Sequence, residues 1–540
     1  MLRDIYSLRI DGSTNLNLTN SPARNGVRDQ VSSPSEPSIP IDDSPEDSML
    51  AKNYERGQTQ KNLVERDRCT SFRHHPHRTT ADRCNVDQVT IDILTEDILL
   101  CIFNVYVNDP YKREEWRTLV HVCRRWRTLV FESPHHLNVQ LFCSITTPVL
   151  AKLDIWPALP IVVHQYYFRA QKLDNLIAAI QHNDRVCKID MSSFGKQELE
   201  KIVSVMQVPF PALTSLELTL GGRDKAVGVL PDLFLGRSAP RLEHLKLRGL
   251  SFPGLPNLLL STTGLVSLEL RFIPHSWDIS PDAMVTQLSA LTRLESLSLG
   301  FESRPNRNSH HSPPTRRTLI PALTRMSFEG ANEYAEDLVT RIDTPRMKYL
   351  FITFFNETVF DISHLSQFIS RVPKFQTPPD NAYVAFSDDH VSATLIFPAP
   401  GHEMIVLGIW RDESAGQLLS LIQLCGSFLP ALAMVERLYI HQYGDSWRWA
   451  HGIQHSHWLQ LLHFFTDTKD LYVSSEITVC IVPVLNSLVG ERTTQVLPAL
   501  QNLFFEVYDE LSGPTAIKDF IAARELSGHS IAVYRWVAPH

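Results

Sequence analysis

Cysteine is scarce in this chain of 540 residues. There are eight: Cys69, Cys84, Cys101, Cys123, Cys143, Cys187, Cys425 and Cys480. No two form a CxxC, and eight are far too few to staple a chain of this length as a disulfide scaffold. Several sit among apolar residues, where cysteine behaves as a small hydrophobe. A reduced, intracellular protein of the cytoplasm or nucleus is the expectation. An excess of positive charge is also missing. Lys and Arg number 51 against 59 Asp and Glu, for a formal net charge of -8. Proteins that grip nucleic acid through phosphates are usually basic, so no nucleic-acid partner is expected. Glycine (22) and proline (34) are too few for collagen-like sequence. No uncharged apolar run reaches the ~18 residues that span a bilayer, so no membrane partner is expected. Residues 149–163 are apolar, but Lys152, Asp154 and two prolines interrupt them. Met1-Leu2-Arg3-Asp4 is followed by polar residues, without the apolar stretch of a signal peptide.

Enzyme signatures are absent too. There is no GxGxxG, no Walker-A loop and no GxSxG. Gly221-Gly222-Arg-Asp-Lys225 reads as a turn between repeats. Ser193-Phe-Gly-Lys196 matches Ser-x-x-Lys, but the companion Ser-Asp-Asn and Lys-Thr-Gly motifs are missing. His441, His451, His455, His457 and His463 form a histidine-rich stretch. His451 and His455 share a face if their segment is helical. Gly452 stands where an HExxH motif carries glutamate, so a packing or surface role is favoured over a metal site. No catalytic residue, cofactor or metal is assigned.

What remains is a globular composition, 43% hydrophobic and 20% charged, arranged in three parts. Residues 1–87 have weak periodicity, an acidic Pro/Ser-rich block (Glu36 to Asp47) and a basic block (Lys52 to Arg83). They bury too little apolar surface to offset chain entropy and read as a disordered tail. Cys69, His74, His75, His77 and Cys84 fall there, at spacings that fit no standard zinc finger.

Residues 88–140 change character. Ile91, Leu94, Ile98, Leu99, Ile102 and Phe103 recur at helical spacing. Trp116, Leu119, Val120, Cys123, Trp126, Leu129 and Val130 do so on a second segment. Asn108-Asp109-Pro110 is a turn signal between the two, and Ser133-Pro134 ends the second helix. Two short helices cannot close a core alone, and their apolar positions are too many for one face. Either they cap the following domain or they dock a partner.

From residue 141 onward a phrase Leu-x-x-Leu-x-Leu recurs. It reads Leu213-Leu216-Leu218, Leu242-Leu245-Leu247, Leu265-Leu268-Leu270 and Leu294-Leu297-Leu299. Looser copies are Val186-Ile189-Met191, Leu323-Met326-Phe328 and Met347-Leu350-Ile352. Their first residues are 27, 29, 23, 29, 29 and 24 apart, at or near the leucine-rich-repeat interval. Copies return at Val435-Leu438-Ile440, Thr468-Leu471-Val473 and Leu500-Leu503-Phe505. The Leu-x-Leu end alternates as a half-buried strand does. Residues 197–206, 281–291 and 458–465 between phrases suit amphipathic helices. One strand-plus-helix unit cannot bury its apolar face, whereas stacked units make a continuous core. The predicted fold is α/β: a solenoid with parallel strands on the concave face and helices on the convex face. No Asn or Cys follows the last leucine, so the array should be irregular. Residues 393–397 and 404–410 are strand-like without the phrase and suggest hairpin-like insertions within 356–434.

These residues carry a resemblance. Ile91-Asp-Ile-Leu-Thr-Glu-Asp-Ile-Leu-Leu-Cys-Ile-Phe103, then Val122-Cys-Arg-Arg-Trp-Arg-Thr-Leu-Val130, then Ser133-Pro134, resembles an F-box. Leu94-Thr95 stands where Leu-Pro is usual, and Leu137 where a Trp often follows Ser-Pro. Residues 458–465, 469–473, 493–502 and 520–529 look like the C-terminal half of the large F-box family of mushroom-forming fungi. Those proteins pair one F-box with irregular leucine-rich repeats. The resemblance implies a non-enzymatic substrate receptor of an SCF-type cullin-RING ubiquitin ligase. Its F-box would bind a Skp-family adaptor and its repeats an unnamed target protein. It assigns the adaptor surface to Leu94, Ile98, Ile102, Val122, Cys123 and Trp126. An interaction scaffold without ligase assembly, or a hydrolase or metalloenzyme in the irregular repeats, are the alternatives.

In each phrase the residue between the last two apolar positions points away from the core. In order these are Glu217, Lys246, Glu269, Ser298, Ser327, Phe351, Tyr439, Tyr472 and Phe504. The first five are polar and the last four aromatic. Tyr439, Tyr472 and Phe504 should be neighbours, while Phe351 need not touch them. The four aromatics are the target-binding candidates; cross-strand stiffening and cover by the C-terminal segment are the plainer readings.

Overall fold

The computed structural model describes residues 91–536 apart from 108–115, 135, 138, 146–148, 166–172, 222–227, 275–278, 303–315, 356–361, 388–389, 399–402, 411–413, 428, 444–453, 489, 491 and 507–516. The tail read over 1–87, with its Cys and His residues, lies outside these. The chain divides into two compact units, 1–94 and 95–540. Of the first unit, Ile91–Ile93 form one 3-10 turn, closed by the Leu94 N–H on the Ile91 carbonyl at 3.2 Å.

The second unit opens with three helices, α1 (Glu96–Val107), α2 (Trp116–Val122) and α3 (Arg124–Glu132). Glu96 and Asp97 complement the positive end of α1. Leu99 and Phe103, four apart, are its buried face. The sequence suggests one helix across 116–132; the structure breaks it at Cys123, which is extended (φ -154, ψ 172). The Cys123 Sγ accepts the Trp126 N–H at 3.5 Å, capping α3. The Trp126 ring then meets Phe103, centroids 4.7 Å apart. Trp116 ties the helices to the first repeat. Its Nε1 donates to the Gln140 carbonyl at 3.0 Å, and its ring lies edge-on to Trp156 at 5.1 Å.

The strands that follow are β1 (Leu141–Cys143), β2 (Ile161–Gln165), β3 (Val186–Phe194), β4 (Ser215–Leu220), β5 (Gly228–Val229), β6 (His244–Arg248) and β7 (Leu250–Ser251). Next come β8 (Ser267–Ile273), β9 (Ser296–Phe301), β10 (Thr318–Leu319), β11 (Arg325–Gly330), β12 (Ile342–Asp343) and β13 (Tyr349–Phe355). The last are β14 (Asn381–Phe386), β15 (His390–Ile396), β16 (Met404–Trp410), β17 (Arg437–Gln442), β18 (Asp470–Val473), β19 (Asn502–Glu506) and β20 (Ala532–Trp536). Two small pairs, β5 with β7 and β10 with β12, stand apart. The other sixteen form one sheet in the order β1-β2-β3-β4-β6-β8-β9-β11-β13-β16-β15-β14-β17-β18-β19-β20.

Every neighbour in that sheet runs parallel except β15, which is antiparallel to both β14 and β16. The hairpins expected within 356–434 are there, but in reversed order. The chain leaves β13, forms β14 three places along, and returns through β15 to put β16 beside β13. β14 and β16 keep the direction of the array, so β17 resumes against β14.

The phrase explains the strands. Leu216 and Leu218, Leu245 and Leu247, and Leu268 and Leu270 are all buried, and the residue between each pair is half-exposed. Helices at Lys196–Val205, Pro281–Leu288 and His455–Leu462 fall where amphipathic spacing puts them. Ser280 caps the second, accepting the Ala283 N–H at 3.2 Å, with Pro281 at its first turn. Thr214, Thr324 and Thr468, at the start of their phrases, donate Oγ1 to carbonyls of the preceding repeat at 2.9–3.1 Å. Buried Glu336, on α4 (Asn332–Arg341), accepts the His364 and Leu365 N–H groups at 2.8 and 2.9 Å. It thereby satisfies the open N-terminus of α5 (Ser363–Arg371). Arg524, on α6 (Lys518–Leu526), is buried in the last repeat. Its guanidinium donates to the Thr493, Pro498 and Leu500 carbonyls at 3.1, 3.4 and 2.9 Å. Among the described residues no helix is long and apolar enough to cross a membrane.

Candidate functional site

Two surfaces hold the residues singled out by the sequence. The first is on the opening helices. Ile98, Ile102 and Val105 share a face of α1 at spacings of four and three, and they are 48%, 45% and 80% exposed. Val122, at the end of α2, and Cys123 are exposed as well. Trp126 is half-buried, because its ring covers Phe103. Leu94, in the first unit, is half-buried.

The second surface is the half-exposed face of the sheet. The register runs one row of side chains from β2 to β20. Its first part is His164, Asp190, Glu217, Lys246, Glu269, Ser298 and Ser327. Its continuation is Phe351, Val406, Thr394, Tyr383, Tyr439, Tyr472, Phe504 and Tyr534.

The polar part pairs its own side chains. His164 Nδ1 is 3.2 Å from Asp190, and Lys246 Nζ is 2.8 Å from Glu217. Glu269 takes Arg248 and Arg271 from the adjoining row, each at 3.2 Å. Parallel pairing sets opposite charges side by side on adjacent strands, which neutralises the row within the sheet.

The aromatic part is a stack. Tyr383 and Tyr439 lie 4.5 Å apart with planes 8° from parallel. Tyr472 and Phe504 are 4.3 Å apart at 7°, and Phe504 and Tyr534 are 5.1 Å apart at 20°. Strand spacing of ~4.8 Å sets these intervals. Trp536 folds back from β20 and stands edge-on to Tyr472 at 5.4 Å and Tyr439 at 6.3 Å. Burial raises the Tyr439 phenol well above its ordinary value, and Tyr383 and Tyr472 add to the rise. Burial raises Tyr383 too, against the opposing charge of Arg437. His441, two residues beyond Tyr439, packs on Tyr443 at 4.6 Å. Burial lowers its pKa to about 4, and among the described residues its Nε2 finds no hydrogen-bond partner.

Tyr439, Tyr472 and Phe504 are therefore neighbours. Phe351 is separated from them by Val406 and Thr394, both buried, and by Tyr383. Tyr383, Tyr534 and Trp536 complete the stack and carry no phrase. Their signal in the sequence is alternation within short strands: Tyr383 follows Asn381-Ala, and Tyr534 and Trp536 share a parity.

The Ser-x-x-Lys and Gly-Gly segments fall on structural features, and residues 222–225 of the second lie outside the described residues. Ser193 has φ 63 at a bulge in β3. A Cβ on Gly221 would come within 2.2 Å of the Ser193 Cα, so only glycine allows that close approach. Lys196 opens the next helix. His451 lies outside the described residues; His455 and His457 begin a helix, and His463 is exposed. Among the described residues no three His, Cys, Asp or Glu side chains are grouped to hold a metal.

The second unit is thus a mixed α/β repeat array on a long, mostly parallel sheet, the arrangement of leucine-rich repeats. No protein-family model matches the chain, and no curated protein matches it. Among solved structures, the leucine-rich repeat-containing protein LegL7 from Legionella pneumophila is similar. It is 14% identical, covering 61% of this chain and 94% of that one, with a TM-score of 0.25.

Proposed function

We propose that this protein is a substrate receptor of an SCF-type cullin-RING ubiquitin ligase. Its opening helices dock a Skp-family adaptor, and its repeat sheet holds a target protein without itself doing chemistry. The observation that carries the reading is the apolar face of α1. Ile98 and Ile102, which the F-box resemblance assigns to the adaptor, stand exposed beside Val105, while Leu99 and Phe103 hold the helix from the other side. Exposed apolar side chains aligned on one helix suit docking better than they suit water. Val122, Cys123 and Trp126 extend the adaptor surface in this reading, and Leu94 carries the same assignment from the resemblance. The target lies on the aromatic part of the row, since Tyr and Trp dominate binding hot spots. Phe351, set apart from the stack by the buried Val406 and Thr394, contributes separately from Tyr439, Tyr472 and Phe504.

Co-purification of a Skp-family adaptor with the full chain tests the reading. The adaptor should be retained by the wild type and lost with Ile98→Ser/Ile102→Ser. Retention by the double variant removes the F-box assignment. Absence of adaptor from the wild type, with target capture intact, leaves an interaction scaffold.

A further inference from the structure

β20 differs from the other strands of the long sheet in how it is held. Among the described residues it is the one strand of the sixteen that buries nothing. Ala532, Tyr534 and Arg535 are exposed, and Val533 and Trp536 are half-buried. The reason is in its sequence. Val533 and Arg535 continue the rows that Leu503 and Phe505 fill with core side chains one strand earlier. A guanidinium does not enter an apolar interior unpaired. The core therefore stops at β19 and at Ile531, buried just before the strand.

Backbone pairing with β19 and two rings keep β20 in place. Tyr534 lies on Phe504, and Trp536 reaches past β19 to Tyr472 on β18 and Tyr439 on β17. The Trp536 indole donates to the Val473 carbonyl at 3.5 Å, a long hydrogen bond. Ser474, the next residue, is 3% exposed. Its N–H bonds the Ile440 carbonyl at 3.0 Å, which sets it opposite His441. Among the described residues, the Ser474 Oγ and the His441 Nε2 both lack a hydrogen-bond partner. By alternation the two side chains share the face of Tyr472 and Tyr439. Buried polar atoms without partners weaken the closed arrangement beside the Trp536 ring.

We propose that β20 is a displaceable internal ligand, and that the target is an extended segment with an aromatic-x-aromatic motif that takes its place along β19. The inference rests on the reading that the target lies on the aromatic row, and not on ubiquitin ligase assembly. Peeled back from Ile531, β20 uncovers the backbone edge of β19, one face of Phe504 and the rings of Tyr472 and Tyr439 together. These are the parts of a strand-addition site, where main-chain hydrogen bonds give affinity and alternate side chains give specificity. The occupant is defined by what sits there in the closed chain. Its first ring stacks on Phe504. Its second ring, two residues on, reaches Tyr472 and Tyr439 and brings an N–H to the Val473 carbonyl. The residue between them is free to be charged, as the exposed Arg535 is. A Tyr or Phe followed two residues later by Trp, parallel to β19, meets all three conditions. While closed, β20 reduces the apparent affinity for the target by the fraction of molecules that are open.

The probe is a fluorescein-labelled peptide of residues 532–536, Ala-Val-Tyr-Arg-Trp, titrated by fluorescence anisotropy against the full chain. Tyr534→Ser/Trp536→Ser removes both rings of the internal strand. This double variant should bind the peptide at least about tenfold more tightly than the wild type does. Serine at both ring positions of the peptide should abolish binding, and so should Tyr472→Ser added to the double variant. Circular dichroism of each variant confirms that it is folded. Equal affinity for wild type and double variant overturns the proposal, as does a folded double variant that binds no peptide. If the double variant does not fold, hydrogen exchange of the wild type decides. Amides of β20 should exchange at least about tenfold faster than those of β19, and matching rates overturn the proposal. Target capture by Tyr439→Ser/Tyr472→Ser separates this inference from the reading beneath it. Capture lost without peptide binding keeps the target on the row and removes only the displacement. Unchanged capture moves the target off the row and removes both.

Discussion

Tyr439 and Tyr472 stack face to face, with ring centroids 4.3 Å apart and planes 11° from parallel. They are Cα partners on adjacent parallel strands. Neither ring reaches for the other; parallel pairing in register places like residues directly side by side, and the strand interval is a ring-stacking interval. A repeat that conserves one position along the chain thus writes a continuous surface across the sheet.

Replacing Tyr439 with serine removes a stacking partner on each side, Tyr383 and Tyr472. At ~0.5–1.5 kcal/mol per aromatic pair, the loss of stability should be about 1–3 kcal/mol by urea unfolding. The double change Tyr439→Ser/Tyr472→Ser should lower target capture while fold and adaptor binding persist. Joint loss of all three would mean that the stack is structural. Unchanged capture would move the target site off the row.

His441 should make the protein acid-sensitive. Its folded pKa, about 4, lies below the ordinary 6.5, because burial disfavours the imidazolium. Below about pH 6.5 the unfolded chain takes up a proton that the folded one refuses. Stability is therefore full above that pH, declines as pH falls toward about 4, and levels off below. The decline amounts to no more than about 3 kcal/mol. In thermal melts between pH 7 and 4, His441→Phe should have a shallower slope than the wild type. Equal slopes would show that other groups set the acid limb.

On α1 two neighbouring faces should give opposite results. Ile98→Ser/Ile102→Ser should leave the melting temperature nearly unchanged, since both side chains already meet water, and should abolish adaptor binding. Phe103→Ala, at a fully buried position against Trp126, should cost about 3–5 kcal/mol. Calorimetry and adaptor pull-down on the same preparations separate the two effects.

Arg524→Met should loosen the last repeat. The substitution keeps the stem but leaves the Thr493, Pro498 and Leu500 carbonyls without their donor in a buried site. A loss of about 2–4 kcal/mol is expected, with amide exchange rising first in β19 and β20. Uniform exchange across the sheet would instead mean that the array unfolds as one body.

Much of this was legible because period two is rigid. Once Leu471 and Val473 face the core, Tyr472 must face away, and equal phrase geometry puts it beside Tyr439 and Phe504. Tyr383 escaped for a topological reason. Its strand lacks the phrase, and only the reversed order of β14 to β16 brings it against β17. Tyr534 and Trp536 escaped because Ala532, Val533 and Arg535 give no leucine signature. On the opening helices the sequence shows too many apolar positions for one face. Which of them turn inward depends on the break at Cys123, and a thiol capping a helix has no strong sequence signal. Leu99 and Ile98 are adjacent in the chain and indistinguishable by hydrophobicity, yet one is core and the other surface.

The reversed insertion has a consequence for how the chain assembles. Elsewhere each strand of the long sheet docks on the strand of that sheet made before it, so contacts stay local and order can spread in chain sequence. At β13 that succession stops. Tyr349 waits for Met404 and Asn381 for Arg437, roughly twice the usual repeat interval, and each wait carries its own loop-closure cost. Synthesis from the N-terminus therefore presents a finished array ending at β13, with an open edge, before the strand that covers it has arrived. The meander is a pause built into an otherwise sequential zipper, and it divides the sheet into an early part bearing the charged row and a late part bearing the aromatic stack.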